Sequence, residues 1–492
     1  MKKLFLTVIT LAMTFANGQN VIAIVGGTVI DGNGGPPIRN GVIIIQDNKI
    51  SEIGRKSSIK IPSKAKIIKA TGKYVTPGFI DSNVHLSLYG KGETIVRYEH
   101  KNESITLEAA QLQLKHGFTT VRDSYGSLLP LMHIRDAIAR GDTIGPRILV
   151  AGNIVGWGGP YSISFSLIRE KDLTIFQEQF NDFITQGSGE ELMDMGPNEL
   201  KIAINNYLDL GPDFIKYGGT SHFSSPIMIG FSPRAQEVIV EETHKRNLIA
   251  ETHSTSSEGL MISVLAGIDL IQHPEVLSTE MPDELINEIA ERRIVGAMLS
   301  NTITGAAWER HLKKRKKDSK KVSDSEVNNR RRENLNKTSA ELRAEIRASG
   351  EMMEIRRKNA EKLIVAGCII TIGTDNYLGA APEFRRNKKY ENQAFGIGSV
   401  IATEGLVELG MTPMEAIVAI TRNGAIACKM LDKIGTLEVG KYADLVILEA
   451  NPLNNISNIK KIYQVIRDGK IIDFETLPYE RIFSSPGRGH AW

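Results

Sequence analysis

Five side chains with chemical potential follow short apolar runs. They are His85, Lys216 in Phe214-Ile215-Lys216-Tyr217, His253, His273, and Asp375 in Thr371-Ile372-Gly373-Thr374-Asp375. The chain has only ten histidines in 492 residues, so three in such places are informative. Imidazole nitrogens with a carboxylate oxygen make a borderline-soft donor set suited to a divalent metal ion. A lysine at the end of a buried strand is costly unless it is paired, neutralised or modified. Any one of these groups alone reads as a hydrogen-bonded core residue; five of them at strand ends of one barrel would converge on one point. His222, in Gly218-Gly219-Thr220-Ser221-His222, follows the lysine run closely enough to reach the mouth of such a site. His100, His116, His133, His244 and His311 lie in helical or loop contexts and read as surface or packing groups, and His490 lies in the tail.

The middle of the chain supplies the strands that would position these residues. Candidates are Tyr74 to Ile80, Thr119 to Arg122, Arg147 to Ala151, Phe214 to Tyr217, Leu248 to Glu251, Leu270 to Gln272, Ile294 to Met298 and Cys368 to Gly373. Helical stretches such as Pro233 to Arg246 and Asp283 to Glu291 lie between them. Eight short buried strands alternating with helices predict an α/β fold, a (β/α)8 TIM-like barrel with its chemistry at the C-terminal strand ends. Both chain ends read instead as short strands between Gly-, Asn-, Asp- and Pro-rich turns: Val21 to Val25, Gly41 to Gln46, Lys66 to Lys69, Ala443 to Glu449, Ile462 to Ile466, and Lys470 to Ile472. They predict a small β-sandwich built from both termini, over 19–76 and 434–492, around a barrel over 77–433. A Lys/Arg-rich, proline-free stretch at 303–360 interrupts the barrel rhythm and predicts a solvated helical excursion, with a lid over the site or an oligomer arm as the other readings.

Composition narrows the function class. Sixty Lys and Arg against 57 Asp and Glu leave a formal charge of +3, too balanced for a dedicated nucleic-acid binder. Two cysteines make no disulfide framework; Cys368 and Cys428 read as small buried hydrophobes. Residues 1–18, MKKLFLTVITLAMTFANG, carry two lysines, an apolar run and small residues at Ala16 and Gly18. That pattern predicts a signal peptide and hence a periplasmic or secreted protein. The run is too short for a membrane span, and no other segment is long and apolar enough for one, so no stable membrane insertion is expected.

The ordered motifs resemble the metal-dependent amidohydrolase superfamily over residues 21 to about 475. Val75-Thr76-Pro77-Gly78-Phe79-Ile80-Asp81 is similar to the segment that opens its barrel. Phe214-Ile215-Lys216 resembles the fourth strand, Glu251-Thr252-His253 and Ile271-Gln272-His273 the fifth and sixth, and Gly373-Thr374-Asp375 the eighth. Met411 to Ala416 and Ile434 to Leu445 resemble the C-terminal signature. The resemblance implies that His85, Lys216, His253, His273 and Asp375 hold a divalent metal, with Lys216 carboxylated. Zinc is the default ion, and cobalt, manganese or iron suit the same ligands. The usual His-X-His reads Asn83-Val84-His85 here, which resembles the branch containing phenylurea hydrolases and molinate hydrolase. An amide oxygen is a weaker ligand than imidazole, so Asn83 predicts one tight metal site and a second that is weak or absent.

Such a site implies hydrolysis of an amide, urea, carbamate or dipeptide-like small molecule, with Asp375 moving the proton. Trp157, Tyr217 and His222 are the candidate substrate contacts. Thr252, Ser254, Glu275 and Asn376 adjoin the ligands and read first as packing or capping residues. A deaminase of an aminated heterocycle and a catalytically silent binding protein on the same scaffold are the other readings. The resemblance also allows for a homo-oligomer.

Overall fold

The computed structural model of the chain describes residues 21–87, 96–166, 168–222, 227–319, 350–378 and 391–484. The predicted leader at 1–18 and residues 320–349 of the charged stretch lie outside them.

The two chain ends meet in one eight-stranded sheet. Its strands are β1 (Val21–Val29), β2 (Ile38–Gln46), β3 (Lys49–Arg55), β4 (Lys66–Lys69), β5 (Tyr74–Pro77) and, from the C-terminal part, Leu445–Leu448, Ile462–Arg467 and Lys470–Ile472. β1 pairs with β4 through Ile22 to Val25, then with β5 through Thr28 and Val29. The switch falls at Gly26, whose φ of +87° is open to glycine and strained for other residues. Leu445–Leu448 closes the module by pairing antiparallel with β5, Ile447 opposite Val75. Strand alternation puts Ile22, Ile24, Ile43 and Ile45 on one face, packed with Val75, Leu445, Ile447 and Ile466. Ala23, Val42 and Ile44 face the other way. The strands of the module are linked in one hydrogen-bonded order in which β1 changes partners from β4 to β5. β3 had no sequence signal because Lys-Ile-Ser-Glu-Ile-Gly-Arg is a largely polar sheet edge.

The single run expected from Tyr74 to Ile80 divides at Gly78. β5 belongs to the end module, and β6 (Phe79–His85) starts the parallel strands. A Cβ on Gly78 would lie 2.0 Å from Thr119 Oγ1, so only glycine allows the two strands to approach there. The parallel strands continue as β7 (Phe118–Asp123), β8 (Arg147–Val150), β9 (Ile154–Val155), β10 (Phe214–Gly218), β11 (Ile249–His253), β12 (Leu270–Gln272), β13 (Val295–Met298), β14 (Ile369–Ile372) and β15 (Asn376–Tyr377). They form two ladders, β15-β6-β7-β8 and β14-β13-β12-β11-β10-β9. Single bonds bridge the edges between them. The amides of Thr374 and Asp375 donate to the Asn83 carbonyl at 3.0 and 3.1 Å, and the Asp213 amide donates to the Val150 carbonyl at 2.7 Å.

Alternation along these strands sorts the interior into layers. Phe214, Ile249, Leu270 and Val295 form an apolar bottom with Ala427. Two residues further on stand Lys216, Glu251 and Gln272, joined by Arg122 of β7. The candidate site residues stand above them.

Around the strands lie α1 (Asn102–Lys115), α2 (Pro233–Lys245), α3 (Gly305–Ser319), α4 (Glu351–Val365) and α5 (Ile397–Glu408), among others. α2 begins where Ser232 Oγ accepts the Ala235 amide at 3.2 Å and Pro233 pre-sets the first turn. The helical segment that starts at Pro413 is interrupted. It runs Pro413–Val418, then a π turn over Ala419–Asn423, then Gly424–Ala427. A Cβ on Gly424 would lie 2.6 Å from Ile80 Cβ, and the Asn423 amide donates to the Ile370 carbonyl at 2.9 Å, so the bulge lets the segment seat against β6 and β14. The described parts of the charged stretch are helical, and Arg357 ties α4 to Glu408 of α5 at 2.7 Å. Beyond the end module, the chain to Ser484 lies along α1, where Glu108 accepts the amides of Ile482, Phe483 and Ser484. Among the described residues no helix is long and apolar enough to cross a membrane.

Candidate active site

Asn83 and His85 stand at the end of β6, and His253 is the last residue of β11. His273 directly follows β12 with φ +56°, and Asp375 follows β14 with φ +50°. Two non-glycine residues in the left-handed region, at the ends of β12 and β14, are strained positions held by their surroundings. The result is a cluster around one oxygen. Asp375 Oδ1 accepts from Asn83 Nδ2 at 2.7 Å and stands 3.0 Å from both His85 Nε2 and His273 Nε2. Asn83 Nδ2 also reaches His273 Nε2 at 2.9 Å.

Tautomer logic makes this cluster informative. The other nitrogen of His85, Nδ1, lies 3.1 Å from the Tyr125 carbonyl, which can only accept, so Nδ1 carries the proton. Burial pulls His85 below the ordinary imidazole range despite the nearby Asp375 carboxylate, which favours the neutral ring. The Nε2 lone pair then faces a carboxylate oxygen. For Asp375, burial acts upward, but the His273 imidazole beside it holds its carboxyl well below the usual range. Two electron-rich atoms at 3.0 Å need a proton or a cation between them.

His253 is buried, and its Nε2 has no hydrogen-bond partner among the described residues. Its ring centroid is 6.0 Å from that of His273. Lys216 is 2% exposed; burial depresses its pKa, opposed by Glu251, Asp375 and Asp123. All five of the residues picked out for chemistry therefore share one buried region with Asn83. Among the described residues no three His, Cys, Asp or Glu side chains stand at the spacing of a preformed metal site; His85, His273 and Asp375 touch one another instead. In donor chemistry the cluster fits a divalent ion, on two observations: the lone pair of His85 aimed at a carboxylate, and the unpartnered Nε2 of His253.

Several residues escaped the sequence reading. Arg122 and Glu251 form a fully buried ion pair beneath Lys216. Gln272 Nε2 donates to Glu251 Oε1 at 3.0 Å and to the Ser82 carbonyl at 3.1 Å. The available signal was the period of two: Glu251 stands two residues before His253, and so shares its inward face. Removing one member of such a pair strands the other charge. Arg122→Met should lower the unfolding free energy by roughly 3–5 kcal/mol, read from urea denaturation of the metal-free protein. Asp123, at the end of β7, accepts the amides of Leu86 at 2.6 Å and Tyr125 at 3.3 Å, and burial pushes its carboxyl up to about 8.

Of the candidate substrate contacts, two are at the site. The Trp157 ring lies 5.1 Å from that of His253 and 5.5 Å from that of His222. His222 stacks on Phe165 at 4.6 Å, and Phe165 packs 5.3 Å from Tyr125, two aromatic neighbours the sequence did not mark. Tyr217 is a correction. Next to inward-facing Lys216, it points outward, and its hydroxyl donates to Gln236 Oε1 of α2 at 2.9 Å. Of the residues adjoining the ligands, Glu275 accepts the Leu299 amide at 3.1 Å and the Asn376 amide donates to Ser399 at 2.9 Å.

A model of the amidohydrolase family matches residues 74–472. The chain belongs to the amidohydrolase family. Members of this family typically bind divalent metal. The solved structure of molinate hydrolase is 28% identical, with a TM-score of 0.81, covering 96% of this chain and 98% of that one. Phenylurea hydrolase B is also 28% identical, with a TM-score of 0.80, over 95% of this chain and 100% of that one. Among curated proteins, imidazolonepropionase of Geobacillus sp. (strain WCH70) is 21% identical over 446 residues, 84% of each chain. Family membership carries a barrel with a β-sandwich module; the strand order itself shows a mixed α/β chain with two parallel ladders and one eight-stranded sheet.

Proposed function

We propose that this chain is an exported, metal-dependent hydrolase that cleaves an amide, urea, carbamate or dipeptide-like C–N bond in a small molecule. The observation that carries the reading is the convergence of His85 Nε2, His273 Nε2 and Asn83 Nδ2 on Asp375 Oδ1, with His85 held in the tautomer that presents a lone pair. His253 and His273 are the firmest candidate ligands, with His85, Asp375 and Lys216 beside them. Lys216 would act there as a carbamate, because an ammonium makes a poor partner for a cation. Zinc suits this donor set, and cobalt, manganese or iron also fit. A divalent ion held there would polarise the carbonyl of the substrate and lower the pKa of water to ~7.

The chain itself supplies proton handling and orientation. Asp375, ionised at neutral pH, is placed to accept a proton from the attacking water and return it to the leaving nitrogen. His222 and Trp157, beside His253, would contact the substrate. The similarity to molinate hydrolase and phenylurea hydrolase B supports keeping ureas among the substrate classes. Purified, metal-replete protein should cleave at least one class in a panel of N-acyl amino acids, dipeptides, ureas and carbamates. Absence of both cleavage and retained metal would overturn the reading. If residues 1–18 direct export, N-terminal sequencing of the exported protein should begin at Gln19.

Asn83 bears on metal count. With an amide in place of an imidazole, one ion is held tightly. Asn83→His should raise the metal stoichiometry measured by elemental analysis towards two per chain; an unchanged count would remove this account.

A further inference from the structure

The hydrogen-bond ladder is missing between β14 and β6, the two strands whose ends bring Asp375 and Asn83 together. At that seam stands one fully buried carboxylate, Asp81, one turn of alternation before Asn83. Its Oδ1 accepts the amides of Asn83 at 3.2 Å and Thr374 at 3.3 Å. Its Oδ2 accepts the hydroxyls of Thr374 at 2.7 Å and Ser399 at 2.6 Å. One side chain thus holds the β6 end, the loop after β14 and the first turn of α5.

We propose that Asp81 is a positioning residue that clamps the β14–β6 seam and so fixes Asn83 against Asp375. The assignment rests on the reading of Asn83 and Asp375 as site residues. The backbone of Asp375 lies at φ +50°, a conformation that needs outside support. Other ties across the seam are the two amide bonds to the Asn83 carbonyl, the short β15–β6 pairing, the Ser82–Thr371 hydroxyl contact at 3.3 Å and the contacts of Asn83 and His85 with Asp375; Asp81 adds four bonds that join both strand ends to α5.

The chemistry of the four bonds gives a sharp test. In Asp81→Asn the amide oxygen can keep both backbone donors, and the two hydroxyls can turn to accept from the new NH2. In Asp81→Ala all four bonds are lost. With the best substrate from the panel, Asp81→Ala should lower kcat about 100-fold with KM nearly unchanged, as expected for misplacement of reacting groups, while Asp81→Asn stays within roughly fivefold of the wild type. Hydrogen exchange needs neither substrate nor metal. In Asp81→Ala it should speed up at least about tenfold in peptides covering 82–86 and 373–378, with 270–298 unchanged, as local opening of the seam requires.

If the wild type cleaves nothing and holds no metal, the proposed function fails, and the exchange comparison still decides the clamp. Wild-type exchange at 373–378 in Asp81→Ala would overturn it. So would an Asp81→Asn variant as impaired as Asp81→Ala, since geometry would then not be the operative property. Should Asp81→Ala not fold, Thr374→Val removes one of the four bonds and should show the same local exchange pattern at smaller amplitude; its absence would overturn the clamp.

Discussion

Asp375→Asn should reduce turnover by about 10²–10⁴-fold at saturating substrate, the range ordinarily carried by a positioned acid or base. One oxygen of this side chain is the meeting point of Asn83, His85 and His273. The carboxylate is held well below its usual pKa by the His273 imidazole, against the upward push of burial. It is therefore ionised at neutral pH and available as a proton acceptor. Asparagine keeps the size of the side chain but cannot take up a proton. The fold should survive, because the amide occupies the same space and the backbone bonds of residue 375 remain. Steady-state kinetics on the best substrate, with circular dichroism as a control for folding, checks this. Activity within threefold of the wild type would remove Asp375 from the proton path. The linkage to stability also has a defined sign. A carboxyl whose folded pKa is depressed stabilises the protein above its unfolded pKa, and that contribution is lost as the pH falls through the lower folded value.

His253→Ala should abolish tight metal retention. The Nε2 of this imidazole is buried without a hydrogen-bond partner among the described residues, an expensive arrangement unless a cation takes the lone pair. Burial and the neighbouring His222 and Lys216 charges hold His253 well below the usual imidazole pKa, so the neutral, ligating form prevails. If His253 is a ligand, as proposed, its loss should weaken binding by more than the roughly 10–100-fold that removing an outer hydrogen-bond partner costs. Thermal unfolding gives an independent readout. At a metal concentration near 100 times Kd, binding stabilises the wild type by about 2.7 kcal/mol, whereas the variant should gain almost nothing. Without metal the two proteins should unfold at similar temperatures, because the alanine also removes an unsatisfied polar group. Undiminished metal content in the variant would strike His253 from the ligand set.

Most of the frame was legible in the pattern of residues along the chain. Apolar runs of strand length, alternating with amphipathic helices, marked the parallel strands because burial on both faces demands near-continuous apolar residues. The turn-rich ends marked a second module because short strands need Gly, Asn and Asp between them. His85, Lys216, His253, His273 and Asp375 stood out because charged and ligating groups are costly at buried strand ends.

Which way each side chain faces, and which distant residue it meets, emerged only in the folded chain. Tyr217 and Lys216 are neighbours in the chain, yet a strand sends them to opposite sides. Arg122 and Glu251 are 129 residues apart and pair because the closing strands bring their inward faces together. Asp81, in an otherwise apolar opening motif, acquires its partners only when α5 and the loop after β14 arrive. Local sequence carries propensity and period, which set each element. Contacts between distant residues depend on register and closure, and those are fixed by packing the whole chain at once.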